Sequence, residues 1–298
     1  MNETRPLVLC FGEILWDFLP DGLFLGGASL NAAYHLHHHG VDARVVSAVG
    51  RDVLGDELLR RCTNWGLSTD GIAQLNDVPT GHVRVAIGRN GDARFDIVTH
   101  VAWDKISATE ANLHAAAQTD AFIFGSLAQR SPGNRTALEC LLAALPKQAL
   151  RVFDANLRPP HDDLDLVRRL ACKATVFKLN ATEAARLAAH ESEKPGREET
   201  HARLVAEMSG CGFVVVTAGA RGAGMLRDGR WLWESGRPMQ VADTVGAGDA
   251  FIASLVAHLL QGKMPDEEIL ARACRLGEWV ASQRGATPAY TATSIQKI

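Results

Sequence analysis

The 298-residue sequence lacks long apolar runs, clustered cysteines and any large excess of charge. No apolar run is long enough to cross a bilayer, and no basic region with a long apolar stretch precedes a cleavage site, so we expect neither a membrane span nor an export signal. The 31 basic and 34 acidic residues leave a formal net charge of −3, which argues against nucleic acid or an anionic membrane as the main partner. We therefore expect small molecules as partners.

The six cysteines are scattered and form no C-x-x-C pair. Most fall inside apolar strand or helix patterns, where a free cysteine behaves as a small hydrophobe. This usage predicts a reducing, cytoplasmic compartment. With 47% hydrophobic and 22% charged residues, the chain has the composition of a globular protein that can bury one large core or two modest ones.

Short apolar runs of β type recur along the chain and alternate with stretches of helical spacing. The runs are Leu7–Phe11, Val45–Val49, Ala121–Phe124, Arg151–Asp154, Thr175–Leu179 and Phe213–Thr217. Because they are apolar on both faces, they indicate strands that helices cover on both sides. The alternation predicts an α/β fold, a three-layer α/β/α sandwich around a mainly parallel central sheet. Helix starts are marked by Asp52, Ser131-Pro132 and Pro265-Asp266.

One segment breaks this alternation. Two β-type runs, 82–88 and 93–101, flank the turn 89–92, which contains the hairpin dipeptide Asn-Gly. A hairpin has no place in a parallel sheet, so we expect residues 79–103 to project and to form, with residues 14–25, a small β-sheet lid over the active site. The alternative is an ordinary surface hairpin.

The segment D-T-V-G-A-G-D-A-F, from Asp243 to Phe251, sets two acids around a Gly/Ala-rich turn before an apolar, helical run. Backbone N–H groups of such a turn, together with the positive end of the helix, form an anion site beside the Asp249 carboxylate. A helix N-terminus favours the ionised form, so we expect Asp249 to be ionised near neutrality without an unusual pKa. The alternative role of Asp249 is that of an N-cap.

A second group of polar residues follows the first strand. In an open α/β sheet, ligands bind beyond the carboxyl ends of the strands, which is where Asp17 and Gly26-Gly27 fall. Asp17 can accept from two hydroxyl groups, Asn31 can donate and accept, and the glycines let a ring approach the backbone. Asp17, Gly26, Gly27 and Asn31 are therefore candidate sugar contacts. The alternatives are a solvated turn acid and a simple tight turn.

Both groups match one family. The segment 243–249 resembles the D-T-x-G-A-G-D signature of the ribokinase-like (PfkB-type) carbohydrate kinases. Segments 12–17 and 26–31 resemble the G-E-x-x-x-D and G-G-x-x-x-N sugar-binding elements of that family. The resemblance implies a single ribokinase-like kinase domain over residues 1–298.

The resemblance also implies a reaction, transfer of the γ-phosphoryl group of ATP to a primary hydroxyl of a sugar, with Mg²⁺ bridging the phosphates. Asp249 would act as the general base. The backbone amides of Gly246, Ala247 and Gly248 would hold the charge that develops on the transferred group.

The stretch D-A-N-L-R, residues 154–158, resembles the D-x-N-x-R element of fructokinases and 2-keto-3-deoxygluconate kinases. At the end of a strand, period-two spacing would place Asp154, Asn156 and Arg158 on one side, where Arg158 could meet phosphate or an acidic sugar. The alternative is a capped turn before Pro159-Pro160.

Two further segments resemble the nucleotide site of the family. Asn180 and Glu183 match its N-x-x-E element, whose acid organises the magnesium shell through water, and Mg²⁺ suits one Glu with one Asn and several waters. A helix capping box over the same residues is the competing explanation. Residues 217–222 match the T-x-G-x-x-G nucleotide loop. The candidate ATP contacts are Asn180, Thr217, Gly219, Gly222 and Gly248.

In this family a monovalent cation, K⁺, often binds near the positions of Asp243 and of the stretch that begins at Gly285. Asp243 is either part of such a site or a scaffold residue. Ala289 stands where some relatives carry a hydroxyl residue, a departure from the family pattern that bears on potassium activation.

Four histidines crowd one helical segment, with spacings of three and four residues that could suit a metal; they are His35, His37, His38 and His39. A metal site also needs a third convergent ligand and supporting hydrogen bonds. We therefore interpret the cluster as a solvated helix end.

The combined motifs resemble those of fructokinases most, so D-fructose, giving fructose 6-phosphate, is the first choice of substrate. The first alternative is 2-keto-3-deoxygluconate kinase, in which Arg158, Arg84 or Arg94 would bind the substrate carboxylate, and ribokinase is the second. A catalytically silent, sugar-responsive regulator is the non-enzyme alternative, although a pure binder has no need for the base Asp249. The resemblance also implies a homodimer joined through the lids.

Overall fold

A computed structural model describes the chain over residues 5–19, 22–87 and 93–291. In chain order the strands are β1 (Leu7–Phe11), β2 (Leu15–Leu19), β3 (Gly22–Gly26), β4 (Asp42–Gly50), β5 (Ile72–Leu75), β6 (His82–Ile87), β7 (Ala93–Ile97), β8 (Ala121–Gly125), β9 (Leu150–Asp154), β10 (Val176–Asn180), β11 (Phe213–Thr217), β12 (Gly222–Arg227) and β13 (Arg230–Ser235).

The helices are α1 (Ala28–His38), α2 (Val53–Asn64), α3 (Glu110–Ala116), α4 (Pro132–Ala144), α5 (Leu164–Ala171), α6 (Ala181–Ala189), α7 (Glu198–Ser209), α8 (Ala247–Gln261) and α9 (Asp266–Ala281). Short 3-10 helices lie at Ala102–Lys105, Leu127–Arg130 and Gly219–Arg221. In the part of the chain described, none of the helices is long and apolar enough to cross a membrane.

The main sheet has the strand order β13-β12-β11-β10-β9-β8-β1-β4-β5. From β11 to β5 the strands run parallel, which confirms the predicted mainly parallel sheet. At one edge, β12 and β13 form an antiparallel hairpin that the sequence patterns did not predict. The run that forms β12, Gly222–Arg227, contains no β-branched or aromatic residue, so it lacks the usual preference for strand.

Helices cover both faces of the main sheet, which confirms the three-layer sandwich. Alternate residues of β1 face opposite sides: Val8 and Cys10 lie in one apolar cluster, and Leu9 and Phe11 lie in the other. The first cluster contains apolar residues of α1, α2, α8 and α9, and the second contains residues of α3 to α7. The strands are therefore apolar on both faces because both faces are covered.

An aromatic row crosses the second cluster on three adjacent strands. Phe153 of β9 stacks between Phe124 of β8 and Phe177 of β10, at ring-centroid distances of 5.1 and 4.9 Å. All three side chains are buried. Cross-strand aromatic pairs add to the stability that area burial supplies, so the row holds together the middle of the sheet.

The two segments expected to pair outside the main sheet do form a separate, four-stranded sheet, in the order β3-β2-β6-β7. The expected turn at 89–92 lies outside the described residues. At the base of this small sheet, the backbone N–H of Trp16 donates to the Gly81 carbonyl at 3.0 Å. Trp16 and Trp103 are buried there, and the Arg130 guanidinium lies 3.8 Å from the centre of the Trp103 ring.

The carboxyl ends of the parallel strands meet at one edge of the main sheet, where ligands bind in folds of this kind. The strand register places Asn180 of β10 beside Thr217 of β11, and Lys178 of β10 beside Asp154 of β9. The small sheet starts at the same edge, because only residues 12–14 separate β1 from β2. This edge is therefore where the candidate site residues should be sought.

Phe153→Ala should destabilise the protein by about 3–5 kcal/mol, because it removes a buried ring and leaves a cavity between two others. The urea midpoint of unfolding, followed by circular dichroism, measures the change. Val53→Ala is the control, since Val53 is 83% exposed. Its truncation should change the free energy of unfolding by less than about 0.5 kcal/mol. Equal effects of the two substitutions would show that the aromatic row is not part of the core.

Candidate active site

The turn before α8 adopts a conformation that requires glycine. Gly246 lies in the left-handed region, with φ of 79°, and a Cβ there would come within 2.4 Å of the Ala286 Cβ. Ala247 begins the helix, and Gly248 and Asp249 follow in its first turn. The N–H groups of a first turn have no partner within the helix, and the helix dipole favours an anion beside them. This geometry suits the predicted anion site.

Asp249 is joined to Asn31, although 218 residues separate them in the sequence. The Asn31 Nδ2 donates to the Asp249 Oδ2 at 2.8 Å, so the first turns of α1 and α8 meet at this pair. Asn31 is buried, and its Oδ1 has no donor among the described residues. Because an unpaired buried acceptor costs free energy, Oδ1 is a position where a ligand hydroxyl group would be favoured.

Burial raises the pKa of Asp249 to about 7. The hydrogen bond from Asn31 lowers this pKa in part, the charge of Asp154 raises it, and the charges of Lys178 and Arg158 lower it. The expectation of an ordinary pKa was therefore wrong, because loss of hydration at this depth outweighs the groups that favour the ionised form. Titration near neutrality is what a general base needs at that pH.

Asp17 lies on β2, next to Gly26 on β3. A Cβ at position 26 would come within 2.4 Å of the Asp17 Oδ2, so the glycine leaves room for the carboxylate. Gly27 has φ of 102°, and a Cβ there would lie 2.3 Å from the carbonyl oxygen of Glu13. Burial, with a smaller contribution from the charge of Asp243, raises the pKa of Asp17 to about 6. Gly26 is thus required by close packing against Asp17, and Gly27 by close packing against the Glu13 backbone.

The chain from Asp154 to Arg158 does not have the extended form that the strand pattern predicted. β9 ends at Asp154, and Asn156 has φ of 39°, so the period-two spacing expected for Asp154, Asn156 and Arg158 was wrong. Arg158 is exposed, yet its charge lowers the pKa of both Asp17 and Asp249. The charge of Arg158 therefore acts on both acids.

Asn180 and Glu183 form the capping box that was the competing explanation for their spacing. The Asn180 Oδ1 accepts from the Glu183 N–H, and the Glu183 Oε2 accepts from the Asn180 N–H, both at 2.8 Å. The Glu183 Oε1 accepts from the Leu157 N–H at 2.7 Å. Glu183 therefore connects the start of α6 to the loop that leads to Arg158, and its role toward magnesium stays a prediction.

The loop after β11 exposes backbone at the same edge. Thr217 ends the strand, and the 3-10 helix Gly219–Arg221 follows. Gly219 has φ of 58° and no heavy atom within 4 Å of a Cβ built on it, so this side of the loop is open. Gly222 is closely packed, because a Cβ there would lie 2.0 Å from the carbonyl oxygen of Glu234. The loop has the open, glycine-dependent form that a nucleotide could approach.

Asp243 connects the turn before α8 to the C-terminal stretch. Its Oδ1 accepts from the Val245 N–H at 3.0 Å, and its Oδ2 accepts from the Gly285 N–H at 3.2 Å. The Ala286 carbonyl accepts from the His35 Nε2 at 2.9 Å. These contacts give Asp243 a scaffold role, and its part in a monovalent-cation site stays a prediction.

His35 is fully buried, so the interpretation of the histidine cluster as a solvated helix end was wrong for this residue. Burial lowers the pKa of His35 to about 3, which keeps the ring neutral. Since its Nε2 donates to Ala286, its Nδ1 accepts from the Tyr290 hydroxyl at 2.8 Å. The described residues contain no group of three His, Cys, Asp or Glu side chains that could hold a metal. The hydrogen bonds of His35 instead connect α1 to the C-terminal stretch.

Lys178 also lies in this site, although the sequence analysis assigned it no role. Its side chain is 7% exposed, and its Nζ lies 3.0 Å from both carboxylate oxygens of Asp154. The same Nζ lies 2.9 Å from the position that a Cβ on Gly248 would take. The available signal was a charged residue in the middle of an apolar strand, because lysine is seldom buried without a partner.

Known proteins resemble this chain over nearly its whole length. A family model described as pfkB family carbohydrate kinase matches residues 22–293. Fructokinase of Solanum tuberosum is 26% identical, over 97% of this chain and 93% of that protein.

Two solved structures share the fold. Fructokinase of Vibrio cholerae O395, in its fructose-, ADP- and calcium-bound form, has a TM-score of 0.83 at 22% identity and covers 99% of each chain. Fructokinase of Xylella fastidiosa with bound ATP has a TM-score of 0.80 at 21% identity and covers 94% of each chain. These likenesses identify the architecture as the ribokinase-like α/β fold.

The Asp249 carboxyl group should titrate with a pKa of about 7. Carbon-13 NMR of the carboxyl carbons measures this pKa, and Asp249→Asn assigns the signal. Asn31→Ala removes a hydrogen bond that favours the ionised form, so it should move the pKa of Asp249 upward. A signal that titrates at the ordinary value of a solvated aspartate would contradict the burial of this group.

The raised pKa of Asp249 should also make the free energy of unfolding depend on pH. The pKa of Asp249 lies above that of an unfolded chain, so its stabilising contribution is complete below the unfolded pKa and is lost as the pH rises through about 7. The unfolding free energy of the wild type, relative to that of Asp249→Asn, should therefore fall with pH over this range.

Proposed function

This chain belongs to the pfkB family of carbohydrate kinases, and on that basis we propose the reaction that its site carries out. The protein transfers the γ-phosphoryl group of ATP to a primary hydroxyl group of a monosaccharide. D-Fructose is the first candidate, and its product is fructose 6-phosphate.

The observation that carries the proposal is the hydrogen bond between Asn31 and Asp249 at the start of α8. It sets a carboxyl group with a pKa of about 7 beside the N–H groups that favour an anion. We infer that the Asn31 Oδ1, which has no partner among the described residues, and the Asp17 carboxylate accept from sugar hydroxyl groups in one pocket. A base, an anion site and sugar acceptors in one place are what phosphoryl transfer to a sugar requires.

In the transfer step, the sugar hydroxyl group gives its proton to Asp249 while its oxygen forms the new bond to the γ-phosphorus. The bond between that phosphorus and the β,γ-bridging oxygen breaks, and its electron pair leaves with ADP. The N–H groups of Gly246 and Gly248 hold the charge on the transferred group. Because these donors are fixed by the helix, they need little reorganisation during the reaction. The Ala247 N–H donates to the Thr244 carbonyl at 3.3 Å, so it can take the predicted part only by leaving that carbonyl.

The nucleotide side of the pocket is assigned to the loops after β10 and β11, with Asn180, Thr217, Gly219, Gly222 and Gly248 as its contacts. Mg²⁺ binds few carboxylates, several waters and phosphate oxygens, and the donors here fit that chemistry. Each oxygen of Glu183 accepts one N–H and keeps a lone pair for water, so Glu183 would hold Mg²⁺ through water. When bound, Mg²⁺ neutralises charge on the phosphates. We assign no step to K⁺, and a monovalent cation near Asp243 and Gly285 stays a prediction.

Fructose is placed first because the Solanum tuberosum protein and both solved structures are named fructokinases, one of them with fructose bound. An acidic sugar such as 2-keto-3-deoxygluconate would need a cation. Arg158 is available at the pocket, whereas Arg84 pairs with Phe18 and so lies on the face of the small sheet opposite Asp17. The Arg94 side chain lies outside the described residues. Ribose is the other alternative acceptor.

The small sheet is proposed to act as a lid within one kinase domain, residues 1–298. Asp17 is in register with Phe24 and Val83, so these three side chains share the face that carries the sugar acceptor. Phe24 also approaches Gly285, 3.7 Å from a Cβ built there, which brings the lid next to the C-terminal stretch. The homodimer implied by the resemblance to fructokinases stays a prediction, for which the mass in solution scattering is the test.

ADP release should be fastest with fructose in a panel that also contains 2-keto-3-deoxygluconate, ribose, glucose, mannose and fructose 6-phosphate. Asp249→Asn should lower kcat by about 100- to 10,000-fold, since it removes the base and keeps the shape of the side chain. The kcat/KM of the wild type should rise with pH through about 7, because the ionised carboxylate is the active form.

Two outcomes would change this conclusion. No ADP above background with any sugar would favour the sugar-responsive regulator over the kinase. Turnover unchanged by Asp249→Asn would reject Asp249 as the base.

Asp17→Asn should raise the KM for the sugar by about tenfold to a hundredfold, because it weakens hydrogen bonds from two hydroxyl groups to a charged acceptor. The kcat should change much less. Asp96→Asn is the matched control, since Asp96 pairs with Arg84 and lies on the opposite face of the small sheet. Equal KM values for the two variants would exclude Asp17 from the sugar site.

A further inference from the structure

Lys178 takes no part in the steps above, yet it is a buried cation at the start of α8. It extends from the middle of β10, and its Nζ lies 2.9 Å from the position of a Cβ on Gly248. The positive end of a helix repels a cation, so this placement is unfavourable by itself. It is stabilised by Asp154, whose two carboxylate oxygens each lie 3.0 Å from the Nζ.

The surrounding carboxylates keep Lys178 charged. Burial lowers the pKa of Lys178, but the charges of Asp154, Glu183 and Asp249 outweigh that effect and hold the pKa above its usual value. A buried ion pair that only filled space could be replaced, as a pair, by apolar side chains without loss of stability, so the pair with Asp154 does not by itself explain why a lysine is placed here. The Lys178 Nζ and the N-terminus of α8 both carry positive charge and lie side by side. Such an arrangement stabilises an anion that binds to both.

We propose that Lys178 contacts the phosphoryl group during its transfer and that Asp154 is the residue that positions it. This inference rests on the proposed kinase function. As the sugar oxygen bonds to the γ-phosphorus and the bond to ADP breaks, Lys178 keeps its proton and donates a charge-assisted hydrogen bond to a non-bridging oxygen. The proton of the sugar hydroxyl still goes to Asp249.

The absence of a side chain at position 248 supports this role. Any Cβ there would press on the lysine Nζ, so the glycine lets the cation lie against the backbone of the anion site. Asp154 holds the lysine from the other side, where the strand register pairs the two residues directly. The ammonium group is therefore held between a carboxylate and the helix start before any substrate arrives, as preorganised stabilisation of a transition state requires.

The test uses Lys178→Met in the full chain. We expect kcat to fall by about 100- to 1,000-fold, as when one donor to a developing anion is removed, while the KM for the sugar changes by less than about threefold. Mg²⁺–ADP should bind with nearly unchanged affinity. The tighter binding caused by adding aluminium fluoride, which mimics the transferring phosphoryl group, should be lost. Lys173→Met, which removes a half-buried lysine that pairs with Glu139, should behave as wild type in each measurement.

A purely structural ion pair is separated from this role by a double variant. Lys178→Met combined with Asp154→Leu replaces the buried pair with apolar side chains and should restore the melting temperature toward that of the wild type. If Lys178 contacts the phosphoryl group, kcat stays low in the double variant. Recovery of kcat together with the melting temperature would overturn the proposal, and this variant keeps the test valid if Lys178→Met alone folds poorly.

A second alternative is that Lys178 acts only on Asp249, because the charge of Lys178 lowers the pKa of Asp249. Lys178→Met should then shift the pH profile upward but regain the full kcat at a pH where Asp249 is ionised in both proteins. A loss of kcat that persists at high pH supports direct contact, and a loss that disappears at high pH contradicts direct contact.

A wild type that phosphorylates no sugar contradicts the proposed function itself. If the wild type phosphorylates a sugar and Lys178→Met keeps the full kcat, only the inference about Lys178 is contradicted.

Discussion

The contact between Asn31 and Asp249 is the constraint on which the rest of the site depends. It joins the first turns of α1 and α8, so the positive ends of two helices lie next to each other. α1 can start there because Gly27 takes a backbone conformation that other residues avoid, and α8 can start there because Gly246 packs against Ala286. Without these close approaches, the amide and the carboxyl group would not reach hydrogen-bonding distance.

Burial then gives chemically similar carboxylates different tasks. Asp249 loses hydration, which raises its pKa toward neutrality although the hydrogen bond from Asn31 lowers the pKa in part. Asp154 is buried against Lys178, whereas Glu183 and Asp243 accept from backbone N–H groups and hold loops in place. The kind of partner, and not the type of residue, decides whether a buried acid can exchange a proton, hold a cation or serve as a scaffold. The proposed reaction uses each of these environments.

Much of the fold could be predicted because its signals are local. The strands Leu7–Phe11 and Phe213–Thr217 have the predicted bounds, and the helices that follow Asp52, Ser131 and Pro265 begin where the capping patterns place them. The candidate sites were predictable as motifs, but not their contacts. The β12–β13 hairpin was missed since its first strand lacks strand-forming residues, and the spacing around Arg158 was misjudged because Asn156 turns the chain. Nothing local could indicate that His35 is buried against Ala286 or that Lys178 faces Gly248.

The sequence by itself determined the layered α/β architecture, the positions of the glycine turns and the presence of an acid at the start of a buried helix. These properties follow from hydrophobic periodicity and backbone preference, which act over a few residues. Only the tertiary structure decided that Asp249 meets Asn31, that its pKa lies near 7, and that Lys178 is held by Asp154 beside α8. Hydration and charge at a buried group depend on every neighbour that surrounds it, and those neighbours come from strands and helices far apart in the chain.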